Sequence, residues 1–479
     1  MRTMIERFKN ARFHLLANKI ALSPLMIIMQ FLFACLVVYM REEYLGVSLF
    51  GYWIAFLLFV CSDLLAILPP TLFLAVFVTH CHNSADKFLS FVIPMASVLV
   101  VMLLLHFILY ARRPVIGRSF YGLCAVAIAT SLSGLGTITA EEVMTPFSLY
   151  YIVFLGVGMV VLYLLIQSIF RERKEYDVYG KLITVLYFMG IFAALLICNY
   201  YRTWNGTMTN INGQNLGHFD GTLWEYLTVE KKLVYFQAKN NLSTFILFAL
   251  PCPFYFAVTK NRLHVLSAIF MYVCLAFSGS RGGLLMGTVL FVLCLIYLII
   301  FDRKFRWGWV ILSILGIAAG VRGAFFLVEF YDINNLNEIV TGSATRMAIL
   351  KRSIHNFLDH PIFGIGLTSH ANRDLYSPLK GAMSWYHMMI PQIYGSMGIV
   401  GIAAWTYHIG IRFSILLHRF NAYKAFIGLS YAGLFLMSQV NPGEFCPIPY
   451  GLLAVLLFVF AERKNRSEDL AVALASSNS

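Results

Sequence analysis

Residues 342–401 read GSATRMAILKRSIHNFLDHPIFGIGLTSHANRDLYSPLKGAMSWYHMMIPQIYGSMGIVG. Apolar runs long enough to cross a bilayer lie on both sides of this stretch. Within it the chain gathers Arg346, Lys351, Arg352, the histidines His355, His360, His370 and His387, and several turn formers. It then turns back into an apolar run at His387. A polar island in so apolar a chain is where chemistry is expected.

Composition sets the class. Of 479 residues, 59% are hydrophobic and only 12% charged, with a mean hydropathy of +0.75. A soluble domain carries about twice that charged share, so the chain reads as an all-α polytopic membrane protein. The formal charge of +13 is scattered in short clusters between apolar runs. That is how Lys and Arg set topology, and no nucleic-acid partner is expected. The nine cysteines form no CxxC pair and mostly lie inside apolar runs (Cys35, Cys61, Cys124, Cys198, Cys274, Cys294), as small core residues do.

About 20 apolar residues span a bilayer as a helix. On that basis segments lie near 20–40, 47–61, 64–80, 88–110, 119–139, 147–170, 180–200, 240–259, 263–279, 283–301, 308–328, 388–411, 422–440 and 447–461. The expected total is about 12–14 spans. The second and third segments are either joined by a turn at Ser62-Asp63 or form one helix broken around Pro69-Pro70. The basic start, residues 1–19, leads into a span, so no cleaved leader is expected.

Further basic turns lie at Arg112-Arg113/Arg118, Arg171/Arg173/Lys174, Lys260/Arg262, Arg303/Lys304/Arg306 and Arg412/Arg419/Lys424, with Arg463, Lys464 and Arg466 in the tail. With the larger number of spans all of these share one side, which the positive-inside rule makes cytoplasmic, together with both termini. The other side receives Glu42-Glu43, Glu141-Glu142, and the loops 201–238, 329–386 and 441–447. The expected organisation is one transmembrane domain over 1–461, an extracytoplasmic loop within it over 329–387 carrying short helices, and a disordered cytoplasmic tail over 462–479.

Three cations stand toward the outer half of the membrane. Arg281, in FSGSRGG (277–283), lies between two apolar segments that form a tight hairpin. An arginine at membrane depth costs about 3 kcal/mol on insertion scales and as a rule faces a cavity or partner; the alternative is snorkelling to the surface. Arg322 lies in GVRGAFF (320–326) and Lys239 in YFQAKNN (235–241). Cations from three segments at one level point to an anion site. Gly279, Gly282 and Gly283 would let backbone amides approach an anion, whereas Gly283 and Gly287 have the GxxxG spacing of close helix contact.

In the polar island, Thr345-Arg346 precedes a helical pattern (Met347, Leu350, Ile354, Phe357) that stops at Asp359-His360-Pro361. Arg346 is therefore expected near a helix start, where backbone amides favour anions. Residues 361–366, PIFGIG, read as a turn. His387 follows Trp385-Tyr386, an aromatic belt at the outer interface. A histidine there either accepts a proton near neutral pH or is simply hydrogen-bonded. Glu444, in the last outer loop, is the next carboxylate available as a base. His355, His360, His370 and His387, or His80 and His82, show no compact ligand spacing. Neither a metal nor another cofactor is expected.

The order FSGSRGG (277–283), TRMAILKRSIHNFLDHPIFGIG (345–366), WYHMMIPQIYGSMGIVG (385–401) resembles the O-antigen ligase and polymerase superfamily of bacterial envelopes. The resemblance covers about residues 233–401. Two positions depart from the common pattern, Met388 where an Asn follows the histidine and Ile349-Leu350 where a Trp is common.

The resemblance implies a C-type glycosyltransferase-like fold in the bacterial inner membrane with an outward-facing site. It implies a donor glycan on undecaprenyl pyrophosphate and an acceptor hydroxyl on a glycan or lipid. Arg281, with Arg346, Arg322 and Lys239, would hold the diphosphate. His387 would activate the acceptor, giving inversion at the anomeric carbon without a metal. The alternative is a lipid-linked glycan flippase or secondary transporter. Transporters place their sites near the midplane within repeats, whereas the polar groups here gather toward one side. This topology predicts that single cysteines introduced across 329–386 react with an impermeant maleimide applied from outside intact cells. Labelling only after the cytoplasmic face is opened would invert it.

Overall fold

A computed structural model describes residues 12–81, 85–140, 149, 152–170, 177–209, 215–230, 233–234, 236, 239–316, 318, 336–367, 386, 388–441, 443–444 and 448–477. The protein is an all-α multi-pass membrane protein. Among the described residues eight helices are long and apolar enough to cross a bilayer, or nine when Phe13–Ala21 and Pro24–Tyr39, bent by 55°, count as one span. Two shorter apolar helices, Leu64–His80 and Arg262–Phe277, stand where further spans were expected. The chain forms two compact units, Met1–Pro114 with Ser168–Asp332, and Val115–Gln167 with Ile333–Ser479.

In the first unit the central helices are Val178–Arg202 and Lys239–Thr259, with 67% and 83% of their spanning windows buried, against 11% for Val92–Tyr110. Every spanning helix is apolar, so burial, not hydropathy, separates core from lipid-facing ones. The central pair is packed with Leu182, Leu186, Met189 and Phe192 on one helix and Leu242, Phe245, Ile246 and Phe248 on the other, all essentially inaccessible. Pro251 opens the second half of Lys239–Thr259 at its first helical position. Its missing N–H is tolerated there.

The question left at residues 61–70 resolves as a turn. Asn18 Oδ1 accepts the amides of Ser62 and Asp63 (3.1 and 3.2 Å), and Asp63 Oδ1 accepts from Leu65 N (3.1 Å). Pro69 and Pro70 then fall in the first turn of Leu68–Cys81, where proline is harmless. The loop 201–238 holds the one element that is not helical among the described residues. Thr207–Thr209 pairs antiparallel with Asn215–His218, with Thr207 opposite His218. The short helix Leu223–Thr228 follows, closed by a Thr222/Glu225 capping box. Trp204, Phe219 and Tyr226 pack beside it, with Trp204 4.6 Å from Tyr226 between ring centres.

In the second unit, Arg118–Thr139 runs against Met389–Leu417. Small residues make this close approach possible; a Cβ on Gly122 would lie 2.6 Å from His408 Nδ1. Glu462, from the last helix, accepts from Ser119 N (2.5 Å) and from the Tyr163 hydroxyl (2.9 Å). A carboxylate at the N-terminus of Arg118–Thr139 also suits that helix's dipole.

The tail corrects an expectation. Rather than becoming disordered at 462, the last helix, Ile448–Ser477, runs through it. Its polar residues are held by the preceding loop. Lys424 Nζ, fully buried, donates to Glu468 Oε2 (3.0 Å) and to the carbonyls of His418 and Arg419. Asp469 lies 3.0 Å from His418 Nε2 and 3.1 Å from Arg419 Nη2. The His418 hydrogen bond holds the Asp469 carboxyl below its ordinary range.

The loop expected over 329–387 also differs over its described part. It carries one 24-residue helix, Leu336–Asp359, in place of short helices. The helix ends at residues 360–366, and this turn is inserted into a break in Met389–Leu417. Ile365 N and Gly366 N donate to the carbonyls of Gly395 and Ser396 (3.1 and 3.0 Å). Ile399 N and Val400 N donate back to Pro361 and Ile362 (2.8 and 3.3 Å). The span expected as continuous over 388–411 is thus interrupted, and the turn supplies the hydrogen bonds that the helix gives up.

Gly398 makes the break, with φ 61° and ψ −152°, a region essentially reserved for glycine. A Cβ there would sit 2.5 Å from the carbonyl oxygens of Pro361 and Ile362. Gly398→Ala should therefore lose about 1–3 kcal/mol to backbone strain alone, besides displacing the turn. A lowered thermal midpoint in detergent is the expected result. Gly410→Ala, whose added Cβ meets nothing within 4 Å, should leave the midpoint unchanged or slightly raised. Equal midpoints for Gly398→Ala and the parent would remove the clasp from the account.

Candidate active site

In the first unit the candidate residues meet at the turn between Val265–Phe277 and Arg281–Phe301. Gly279 takes φ +71°, turning the chain sharply. Ser280 is the N-cap of the following helix; its Oγ accepts from Gly283 N (3.1 Å) and donates to Asn240 Oδ1 (2.7 Å). Ser278 Oγ accepts from Ser280 N (3.1 Å) and lies 3.2 Å from Ser243 Oγ. The turn is thereby fastened to the first turn of Lys239–Ala249. Gly283 is needed for close approach, since a Cβ there would lie 2.7 Å from Ser243 Cβ.

This arrangement brings Lys239 and Arg281 together. Lys239 opens its helix and is 9% exposed; Arg281 is the like charge that acts on it. Arg281, first residue of a 21-residue apolar helix, is exposed and has no hydrogen-bond or ion-pair partner among the described residues. The amide of Gly283 is occupied by Ser280, which leaves those of Arg281 and Gly282 as the donors of the first helical turn. Two cations and a helix N-terminus at one turn form a setting for an anion.

In the second unit Arg346 is the eleventh residue of Leu336–Asp359, so it does not stand near a helix start. The apolar positions Leu336, Ile339 and Val340 extend the pattern upstream through Gly342-Ser343, and the first-turn amides are not available to Arg346. Its backbone position, three and seven residues before Ile349 and Ser353, shares a helical face with them. That face meets Met389–Leu417, with Ser353 Oγ 2.8 Å from the Tyr394 hydroxyl.

Arg322 and His387 lie outside the described residues. The residue before His387 is described and is not part of an interfacial belt. Tyr386 is fully buried. Its amide donates to Gln392 Oε1 (3.1 Å), and its hydroxyl accepts from Asn356 Nδ2 (2.5 Å). Gln392 Nε2 donates to Ser396 Oγ (2.6 Å), within the clasp. Asn356, Gln392 and Ser396 escaped the sequence reading because neutral polar residues inside helical segments carry no spacing signal.

Glu444 is not the outer-loop carboxylate expected. It is buried and bonded to Arg412 Nη1 (2.6 Å), and accepts from the Tyr431 hydroxyl (3.2 Å). Tyr431 lies seven residues, about two turns, before the Ser438 end of its helix, so the chain after Ser438 turns back along it. Arg412, counted among the cytoplasmic cations, is instead 3% exposed within this pair. An ion-paired carboxylate enclosed in this way is poorly placed to serve as a base toward an acceptor.

Residues 266–406 match the family model described as O-antigen ligase. No curated protein matches the chain. The matched segment contains Arg281, Arg322, Arg346 and His387, the turn at 361–366 and the break at Gly398; it begins after Lys239. The match supports a glycan-transfer function of the O-antigen ligase kind and the resemblance of this part of the chain to the O-antigen ligase/polymerase superfamily.

Proposed function

We propose that the protein is a glycosyltransferase that moves or polymerises a glycan from undecaprenyl pyrophosphate onto an acceptor hydroxyl at the outer face of the bacterial cytoplasmic membrane. The observation that carries this reading is Arg281. It is an exposed guanidinium at a helix N-terminus, with no partner among the described residues and a buried lysine beside it, inside the O-antigen ligase segment. Holding two like charges together in an apolar protein is unfavourable unless an anion joins them. A diphosphate is such an anion, and a guanidinium can grip it through two parallel hydrogen bonds.

In the proposed reaction the acceptor oxygen attacks the anomeric carbon from the face opposite the leaving group. The bond from that carbon to the phosphate oxygen breaks, and its electron pair stays on undecaprenyl pyrophosphate. The acceptor proton passes to the imidazole of His387. Arg281 and Lys239, with Arg346 and Arg322, offset the charge that grows on the diphosphate. The configuration inverts, and no metal takes part in the scheme. The scattered basic turns support an orientation with both termini in the cytoplasm.

The test is transfer from purified undecaprenyl-pyrophosphate glycan to acceptor in detergent with a chelator present. Arg281→Ala should lower the rate by about 10²–10³. Arg281→Lys should recover little of it, because a point charge does not reproduce the guanidinium fork. His387→Gln should lower turnover by roughly 10²–10⁴. For the parent, the rate should fall as the pH is lowered far enough to protonate the imidazole, because only neutral imidazole accepts the proton. Full activity of Arg281→Lys, or an unchanged pH profile in His387→Gln, would contradict the assigned roles.

A further inference from the structure

At the opposite end of Arg281–Phe301 from Arg281 the first unit has a cavity of about 530 Å³. Its polar lining is Lys260, Asn261, Arg262, Asp302, Arg303 and Lys304. Four cations against one carboxylate leave a formal charge of +3 on that lining. Asp302 does not neutralise the free cations, because Arg262 occupies both its oxygens (Nε 2.8 Å, Nη2 3.2 Å) and Trp309 Nε1 donates to it as well (2.9 Å). Lys260 Nζ stands 4.2 Å from the centre of the Phe256 ring. Arg303 and Lys304 are exposed, with no hydrogen-bond or ion-pair partner among the described residues.

Topology control accounts for basic residues at this level but not for a recess lined by four of them beside an apolar wall. Ala257, Val258 and Phe301 form its apolar wall, and the helices Lys239–Thr259 and Arg281–Phe301 both end here, at the edge of their spanning lengths. A ligand that fits carries a compact phosphate for the cations and an apolar portion for the wall. We propose that this cavity binds the phosphodiester headgroup of an anionic phospholipid from the leaflet at that end, a site apart from the one proposed for transfer. Arg303 and Lys304 supply the open charges, and the Arg262–Asp302 pair fixes the floor.

Native mass spectrometry of the delipidated, full-length protein tests this with three probes: phosphatidylglycerol, phosphatidylethanolamine and inorganic phosphate. Phosphatidylglycerol should be retained in preference to phosphatidylethanolamine. The double variant Arg303→Gln/Lys304→Gln should bind phosphatidylglycerol roughly 30-fold more weakly, with phosphatidylethanolamine binding unchanged. Equal retention of the two lipids by the unaltered protein, a comparison that needs no variant to fold, would overturn the proposal. So would undiminished phosphatidylglycerol binding in the double variant. Displacement of phosphatidylglycerol by an equal concentration of inorganic phosphate would identify a soluble anion as the ligand and overturn the lipid assignment.

Discussion

The second unit depends on the exchange of backbone hydrogen bonds between residues 361–366 and the broken turn at 395–400. Within a bilayer a helix cannot be interrupted unless the freed amides and carbonyls find partners. Here the partners come from one turn, in both directions, through Ile365 and Gly366 on one side and Ile399 and Val400 on the other. The docking fixes where Leu336–Asp359 ends. It also fixes where the chain returns at Tyr386, whose hydroxyl is tied to that helix through Asn356 and whose amide is tied to Gln392. His387 is the next residue in the chain. The clasp therefore sets where Tyr386 is held, while supplying no chemistry itself.

The first unit solves a different problem, that of holding a buried lysine and an arginine side by side. Its answer is a short hairpin of small polar residues. Ser243, Ser278, Ser280 and Asn240 hydrogen-bond to one another and to the backbone, so the turn is rigid without any of its members neutralising Arg281. Such preorganisation suits a site whose task is to meet a growing negative charge, because the dipoles need not reorient during the reaction.

How much of this was legible follows from which forces act locally. Hydropathy marks helices one at a time, and it located the spans and the hairpin that carries Arg281. It does not register a break stabilised from elsewhere, so SMGIVG (396–401) reads as uninterrupted apolar helix although Gly398 is left-handed. Charge counting likewise treats each residue alone. Arg412 and Glu444, assigned to opposite sides, are partners across 32 positions of sequence. The polar tail looked unstructured because the groups that order it, His418, Arg419 and Lys424, lie about fifty residues earlier. Arg346 stands elsewhere than expected for a local reason: the pattern from Met347 onward reads as the start of a helix that in fact begins at Leu336.

The proposed transfer breaks the glycosidic bond to a lipid-linked diphosphate, where a flippase would carry the lipid across intact. The most direct measurement places purified protein in vesicles containing a radiolabelled glycan on undecaprenyl pyrophosphate and adds an acceptor. Under the proposed transfer, free undecaprenyl pyrophosphate appears in step with label on the acceptor, and the new linkage has inverted configuration. Label that changes leaflet while remaining attached to the lipid would contradict it.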